Sequence, residues 1–197
     1  QIEENGYHLT VDTAGVKIEA SDLRGMVYGV EVLLKMISNG KVYECEIKDA
    51  PRMPFRGVHL MLPHPSEFDF AKRLVKYVIS PMGYNCIIME IAGGMEFESH
   101  PEINRAVEEA WEKGLKGEWP HFPHGEAGWG ATVKKEVLRD FVAYCREFGV
   151  DVIPEIQSLG HVQFMTVAHP DIAERAEKAE VKEEIDGKDA DIPPNEF

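Results

Sequence analysis

The sequence predicts an α/β protein: an incomplete (β/α)8 barrel of the TIM type, with its first three β/α units, preceded by part of a small α+β domain. Three apolar segments of strand length, 57–62, 85–91 and 150–156, alternate with helical patterns at 66–82 and 132–148. Such alternation is typical of parallel strands covered by helices. A complete barrel has eight strands and about 250 residues, so we expect these 197 residues to be part of a larger protein.

The first 48 residues predict a small layer of sheet and helix in the order β-β-α-β. Apolar residues alternate at 7–11 and 16–20 around Gly15, which favours a hairpin. Ser21 is the expected cap of a following helix, and a third strand is expected at 42–47. The residues expected to form the inward stripe of this helix are Leu23, Met26, Val27, Val30, Leu33, Leu34 and Ile37. Pro51 and Pro54 interrupt regular structure at 49–54, so the expected domains are 1–48 and 49–197.

Charge and composition argue against several classes of partner. The chain has 21 basic and 35 acidic residues, a net charge of −14, which disfavours nucleic acid and anionic membrane surfaces. No apolar run approaches the roughly 20 residues of a membrane-spanning helix. The three separated cysteines predict buried core residues rather than a disulfide framework or a zinc site. The chain begins with Gln1, so a processed start and a secreted location stay open, although a cytoplasmic location is favoured.

Polar residues at the ends of the predicted strands are the candidate functional residues. Glu90 ends the second strand, Glu155 ends the third, and His161 follows in the next loop. In parallel α/β folds the site forms at the carboxyl ends of the strands, where carboxylates can donate protons or bind sugar hydroxyls. A structural role as helix caps or as partners of lysine fits the same residues equally well.

A long connection at 92–131 contains all three tryptophans. Trp119 and Trp129 are candidate platforms for a sugar ring, whose C–H face is apolar, whereas the helical spacing of Trp111 predicts a core role. Pro123 interrupts the spacing of His121 and His124, so we expect no metal there, and no cofactor, because no phosphate-binding loop is present.

Four segments resemble glycoside hydrolase family 20, the β-N-acetylhexosaminidases. Residues 7–11 (YHLTV) and 25–34 (GMVYGVEVLL) resemble the end of the small α+β domain that precedes the family's barrel. Residues 49–60 (DAPRMPFRGVHL) resemble the first barrel strand, and residues 152–161 (VIPEIQSLGH) resemble the third strand and its loop. The resemblance covers most of the chain apart from the tryptophan segment and the acidic tail.

The resemblance implies a glycosidase that removes terminal N-acetylhexosamine by substrate-assisted, retaining hydrolysis. An adjacent Asp-Glu pair on the fourth strand does this chemistry in the family, and this sequence has no Asp-Glu dipeptide, so the pair is expected beyond Phe197 and the chain alone is expected to be inactive. Arg56 matches the arginine that binds sugar hydroxyls, and His161 and Glu155 match two further family positions. Met61 and His64 stand where the family usually has Asp and Arg, which indicates a divergent member.

Two alternatives to this enzyme remain open. One is a non-catalytic carbohydrate-binding relative; the other is a barrel hydrolase of another family that uses Glu90 and Glu155 as its acid and base. The expected partner is a carbohydrate substrate, an N-acetylhexosaminide, with no nucleic acid or membrane partner. Self-association through the open edge of the barrel is also expected.

Overall fold

The computed structural model describes residues 1–116 and 130–172, together with the backbone of 182–185 and 188–191. The elements, in chain order, are β1 (Tyr7–Asp12), β2 (Gly15–Ala20), α1 (Leu23–Met36), β3 (Cys45–Asp49), β4 (Gly57–Met61), α2 (Phe68–Leu74), β5 (Cys86–Glu90), α3 (Pro101–Leu115), α4 (Lys135–Glu147), β6 (Asp151–Glu155), α5 (Gln163–Thr166), β7 (Lys182–Ile185) and β8 (Lys188–Asp191). This order confirms the α/β class and the β-β-α-β start. No helix among the described residues is long and apolar enough to cross a bilayer.

The chain forms two compact units. The first consists of Gln1–Val58, Phe70–Ile87 and Val142–Val152. The second consists of His59–Asp69, Ile88–Phe141 and the described residues from Ile153 onward. Each of the strands β4, β5 and β6 begins in the first unit and ends in the second.

An antiparallel sheet in the order β2-β1-β3 forms the amino-terminal part of the first unit. Its predicted hairpin is confirmed: the Asp12 carboxylate accepts hydrogen bonds from the backbone nitrogens of Ala14 and Gly15, and Gly15 takes a φ of +140°. Tyr7, Leu9 and Val11 share one face of β1 and are buried as the core of this layer.

The helix α1 begins one residue later than the sequence predicted. Asp22, not Ser21, is the cap, since its Oδ1 accepts from the backbone nitrogen of Gly25 at 3.0 Å. The Ser21 hydroxyl instead donates to Asp22 Oδ2 at 2.8 Å. The carboxylate satisfies a backbone donor that the first turn of the helix would otherwise leave unpaired.

The face of α1 that packs on the sheet differs from the predicted stripe. Gly25 and Gly29 are buried at the contact, and an added Cβ on Gly29 would lie 2.7 Å from Ile18 Cγ2. The contacting apolar residues of the helix are Tyr28, Val32, Leu33 and Met36. The predicted inward residues found exposed are Leu23, Met26, Val30, Leu34 and Ile37. Because the helix is apolar almost all round, its periodicity could not identify the buried face, whereas the glycines permit a close approach on one side only.

In the first unit, the strands β4, β5 and β6 are joined at their starts. The backbone nitrogen of Asn85 donates to the carbonyl of Arg56 at 3.0 Å, and the nitrogen of Asp151 donates to the carbonyl of Asn85 at 2.9 Å. Cys145 on α4 is fully buried in this unit, and burial raises the pKa of its thiol to about 12, so the thiol stays protonated.

In the second unit, the same three strands are joined at their ends. The nitrogen of Leu62 donates to the carbonyl of Glu90, and the nitrogen of Ile91 donates to the carbonyl of Glu155, both at 2.9 Å. Since starts pair with starts and ends with ends, the strands are parallel, in the order β4-β5-β6 that the sequence predicted.

The close approach at Gly25 gives a stability prediction. A Cβ there would overlap the carbonyl oxygen of Gly6, which is backbone and cannot swing away. We expect Gly25→Ala to destabilise the chain by about 1–3 kcal/mol, although alanine is normally the better helix former. Urea unfolding followed by circular dichroism measures this. Gly160→Ala adds the same methyl group where nothing lies within 4 Å and is the control; equal stability of the two variants would contradict the packing described.

Candidate functional site

Three side chains from three parallel strands converge in the second unit. His59 Nε2 on β4 lies 3.0 Å from Glu155 Oε2 on β6 and 3.8 Å from Glu90 Oε2 on β5. Glu90 is the last residue of β5 and Glu155 is the last residue of β6. Parallel pairing therefore brings the two glutamates, which the sequence placed at neighbouring strand ends, to a single imidazole.

Gln157, two residues beyond β6, completes this group. Its Nε2 donates to Glu90 Oε1 at 2.7 Å. Its Oε1 is buried and accepts no hydrogen bond from any described residue. We call His59, Glu90, Glu155 and Gln157 the strand-end cluster.

The side chains of the strand-end cluster differ in their exposure to solvent. The side chain of Glu90 is only 9% exposed, that of Glu155 is 38% exposed and that of His59 is 48% exposed. A buried carboxylate is costly unless it is hydrogen-bonded, and the amide of Gln157 supplies that bond to Glu90. The side chains of His59 and Glu155 are open to solvent.

The chemistry available to the strand-end cluster is mainly acceptance of hydrogen bonds. The two carboxylates can accept hydrogen bonds from hydroxyl groups of a polyhydroxylated ligand. The donor atoms of His59, Glu90 and Glu155 also lie within 4.8 Å of one another, so these three residues have the atoms to hold a metal ion.

A buried asparagine fixes the segment that follows β5. Asn104 on α3 donates from Nδ2 to the carbonyls of Gly93 and Met95, at 3.1 and 2.8 Å, and accepts from the nitrogen of Phe97 at 2.8 Å. Asn104 is not among the residues that the sequence singled out. The available signal was an asparagine among the apolar residues that form the buried side of α3, such as Ile103 and Val107.

Arg56 is engaged within the first unit. Its Nε donates to the carbonyl of Gly83 at 2.7 Å, and its other nitrogens donate to the carbonyl of Met53 and the hydroxyl of Tyr28. The guanidinium also lies 5.4 Å from the ring centroid of Tyr28. These are the contacts of a residue that ties backbone segments together, and its expected role in binding sugar hydroxyls stays a prediction.

The other predicted site residues are placed as follows. His161 lies exposed on the loop after β6 with a φ of +54°. Trp119 and Trp129 fall at 117–129, outside the described residues, as do His121 and His124. Trp111 lies on α3, where Gly130 packs so closely against its indole that an added Cβ would overlap the ring. That packing agrees with the core role expected for Trp111.

Comparison with known families decides the identity of this fold. Residues 1–50 match glycosyl hydrolase family 20, domain 2. Residues 94–195, just over half of the chain, match the glycosyl hydrolase family 20 catalytic domain. The chain belongs to glycosyl hydrolase family 20.

The chain is similar to β-hexosaminidases from several organisms. The chain is 28% identical over 184 residues to a β-hexosaminidase of Vibrio furnissii, covering 86% of this chain and 29% of that protein. It is also 28% identical over 184 residues to a β-hexosaminidase of Akkermansia muciniphila, covering 86% of this chain and 34% of the relative. The family 20 chain described here therefore spans about a third of the length of these relatives.

Solved structures show the same fold. The family 20 exo-β-N-acetylglucosaminidase of Vibrio harveyi, solved in complex with N-acetylglucosamine, superposes with a TM-score of 0.67 at 22% identity, over 90% of this chain and 29% of that chain. The N-acetyl-β-hexosaminidase of Streptomyces plicatus superposes with a TM-score of 0.66 at 23% identity, over 85% and 33%.

The contacts of Arg56 predict a loss of stability when its side chain is removed. Arg56→Ala leaves two carbonyls without their cationic donor, so we expect a destabilisation of about 1–3 kcal/mol in urea unfolding. Arg52→Ala, at an exposed neighbouring arginine, is the matched control. If Arg56→Ala left stability unchanged but lowered kcat/KM of the intact enzyme, the sugar-binding role expected from the sequence would be the correct one.

Proposed function

We propose that the protein to which this chain belongs is a glycosidase that releases terminal N-acetylhexosamine. The observation that carries the proposal is the strand-end cluster, which places two carboxylates, an imidazole and an amide where a family 20 fold presents its site. The names of the relatives, β-hexosaminidases from two bacteria, support the same substrate class.

The exposed members of the cluster are proposed to hold the sugar. Glu155 accepts from His59 through Oε2, which leaves its Oε1 available to a sugar hydroxyl. Gln157 holds Glu90 through its Nε2 while its own Oε1 is buried, so Gln157 positions the cluster and Glu155 is the acceptor that a sugar can reach. Hydroxyls that bind here replace water with fixed acceptors, which orients the ring without any covalent step by these residues.

The spacing of the two glutamates favours binding over acid-base catalysis. One carboxylate oxygen of Glu90 lies within 4.8 Å of one of Glu155, which leaves little room for the water that an inverting pair holds between carboxyl groups roughly 6.5–9.5 Å apart. A retaining pair is about 5–5.5 Å apart, which would be compatible with this spacing. The imidazole of His59, however, contacts Glu155 and lies 3.8 Å from Glu90, so both carboxylates already have a neighbour. We therefore propose the substrate-assisted scheme, in which the acetamido oxygen of the substrate is the nucleophile and an Asp-Glu pair absent from this sequence orients and protonates.

The exposure of the parallel sheet supports an open barrel. His59, Ile88 and Ile153 share one face in the second unit, and Ile153 is 48% exposed, whereas Met89 on the opposite face is buried. An apolar residue exposed at mid-strand is typical of a barrel interior that further strands would fill.

We propose that 49–197 are the first three β/α units of such a barrel and that 1–48 belong to the preceding α+β domain. We also propose that the exposed face and edge of the sheet promote self-association of the isolated chain.

The proposal predicts that catalysis needs residues beyond this sequence. The 197-residue chain should show no turnover of an aryl N-acetyl-β-glucosaminide above a boiled control, while the intact enzyme hydrolyses it. Release of aryl alcohol, followed by absorbance, measures both. Turnover by the chain alone would contradict the scheme, and a folded but inactive intact protein that still binds N-acetylglucosamine would be the carbohydrate-binding relative instead.

Glu155→Gln in the intact enzyme tests the binding role. The substitution keeps the shape and removes the charge that strengthens hydrogen bonds from hydroxyls, so we expect kcat/KM to fall roughly 10- to 150-fold, corresponding to about 1.5–3 kcal/mol. Glu112→Gln, at a 72% exposed glutamate of α3, is the control and should leave kcat/KM unchanged. A much larger fall, confined to kcat with KM unchanged, would indicate the acid-base role; no change would remove Glu155 from the site.

A further inference from the structure

A second cluster of potential metal ligands lies in the second unit, apart from the strand-end cluster. His100 Nδ1 lies 3.0 Å from Glu102 Oε1, and His169 Nε2 lies 3.1 Å from the same oxygen. The two imidazole rings meet edge to face with centroids 6.3 Å apart. All three donor atoms lie within 4.8 Å of one another. We call His100, Glu102 and His169 the His-Glu-His cluster.

The two histidines lie in two turns of similar sequence. The sequence reads His-Pro-Glu-Ile at 100–103 and His-Pro-Asp-Ile at 169–172. In each turn the isoleucine nitrogen donates to the carbonyl of the histidine, at 3.1 Å from Ile103 and 3.2 Å from Ile172. The proline after each histidine restricts its backbone. Both imidazoles are therefore held on constrained backbone.

The elements that carry these turns pack against each other. Phe164 on α5 and Val107 on α3 are buried, and both approach Gly93 so closely that a Cβ there would lie 2.6 Å from Phe164 Cβ and 3.0 Å from Val107 Cγ2. The backbone nitrogen of His169 donates to the carbonyl of Met165 at 2.8 Å, which anchors the second turn to α5. The relative positions of the two turns are thus set by a packed interface and not by the cluster itself.

We propose that His100, Glu102 and His169 bind a divalent transition-metal ion of the zinc class. Two imidazole nitrogens and one carboxylate oxygen are a donor set that such ions prefer. Ligands about 2.0–2.2 Å from a tetrahedral ion lie roughly 3.4 Å apart, so the 3.0 and 3.1 Å separations need only small shifts to admit one.

The surroundings suit an ion that enters from solvent. The side chain of His100 is 62% exposed, and those of Glu102 and His169 are 36% and 37% exposed, so water can complete the coordination. The bound ion would tie the start of α3 to the turn after α5. The sequence predicted no metal site, since the spacing of His121 and His124 did not favour one and His169 was expected only to lie at a helix end.

Calorimetric titration of the 197-residue chain with zinc chloride tests the proposal. We expect one ion per chain with a Kd on the order of micromolar or below, and a rise in Tm of roughly 5–10 °C at a hundredfold excess over Kd. Glu102→Gln and His169→Ala should each weaken zinc binding at least tenfold. His64→Ala, at a histidine that contacts Ser66, is the control and should bind zinc normally.

Two further variants separate this site from other possible zinc ligands. Glu155→Gln removes a ligand atom of the strand-end cluster, and the double variant His121→Ala/His124→Ala removes the histidines of the tryptophan segment. If zinc binding is lost in either of these and kept in Glu102→Gln, the proposal is overturned, as it is if the chain binds no zinc. Glu102→Gln retains a side chain of the same shape, so normal circular dichroism of this variant distinguishes loss of a ligand from loss of folding.

Discussion

Two backbone hydrogen bonds hold the ends of the three parallel strands in register, and the candidate site depends on that register. Leu62 donates to the carbonyl of Glu90, and Ile91 donates to the carbonyl of Glu155. Each glutamate is thus fixed by its backbone while its side chain faces His59. A slip of one residue in either pairing would turn the affected side chain to the opposite face of the sheet, so the ladder determines which residues can meet a ligand.

The strand ends could be predicted from the sequence because strands buried by helices are continuous apolar runs that stop abruptly. Glu90 and Glu155 stand near the ends of such runs, and the structure places each at the last position of its strand. His59 lies inside its apolar run, so only the register of the three strands shows that its side chain meets both glutamates. Gln157 stands just after the third strand in the sequence, but its hydrogen bond to Glu90 depends on the chain turning back towards β5 after β6.

Other features depend on packing that periodicity does not encode. Helix α1 offers apolar residues on nearly every side, and only the buried glycines show which side meets the sheet. Arg56 donates to the carbonyl of Gly83, which is far away in sequence, and to that of Met53, three residues earlier. Neither hydrogen bond could be predicted from the sequence pattern. The repeated His-Pro-acidic-Ile tetrapeptide was visible in the sequence, but its meaning depends on α3 packing against α5.

The negative charge of the chain selects among the ligands that both clusters could bind. With a net charge of −14, the protein repels anions, and the strand-end cluster adds two carboxylates to that field. A neutral sugar avoids this repulsion and offers hydroxyl donors to the carboxylates. A phosphorylated or acidic sugar offers the same donors, but the negative charge of the protein repels it. The same field attracts a divalent cation to His100, Glu102 and His169. The net charge therefore agrees with both proposals, a neutral rather than an anionic sugar at the strand-end cluster and a cation at the His-Glu-His cluster.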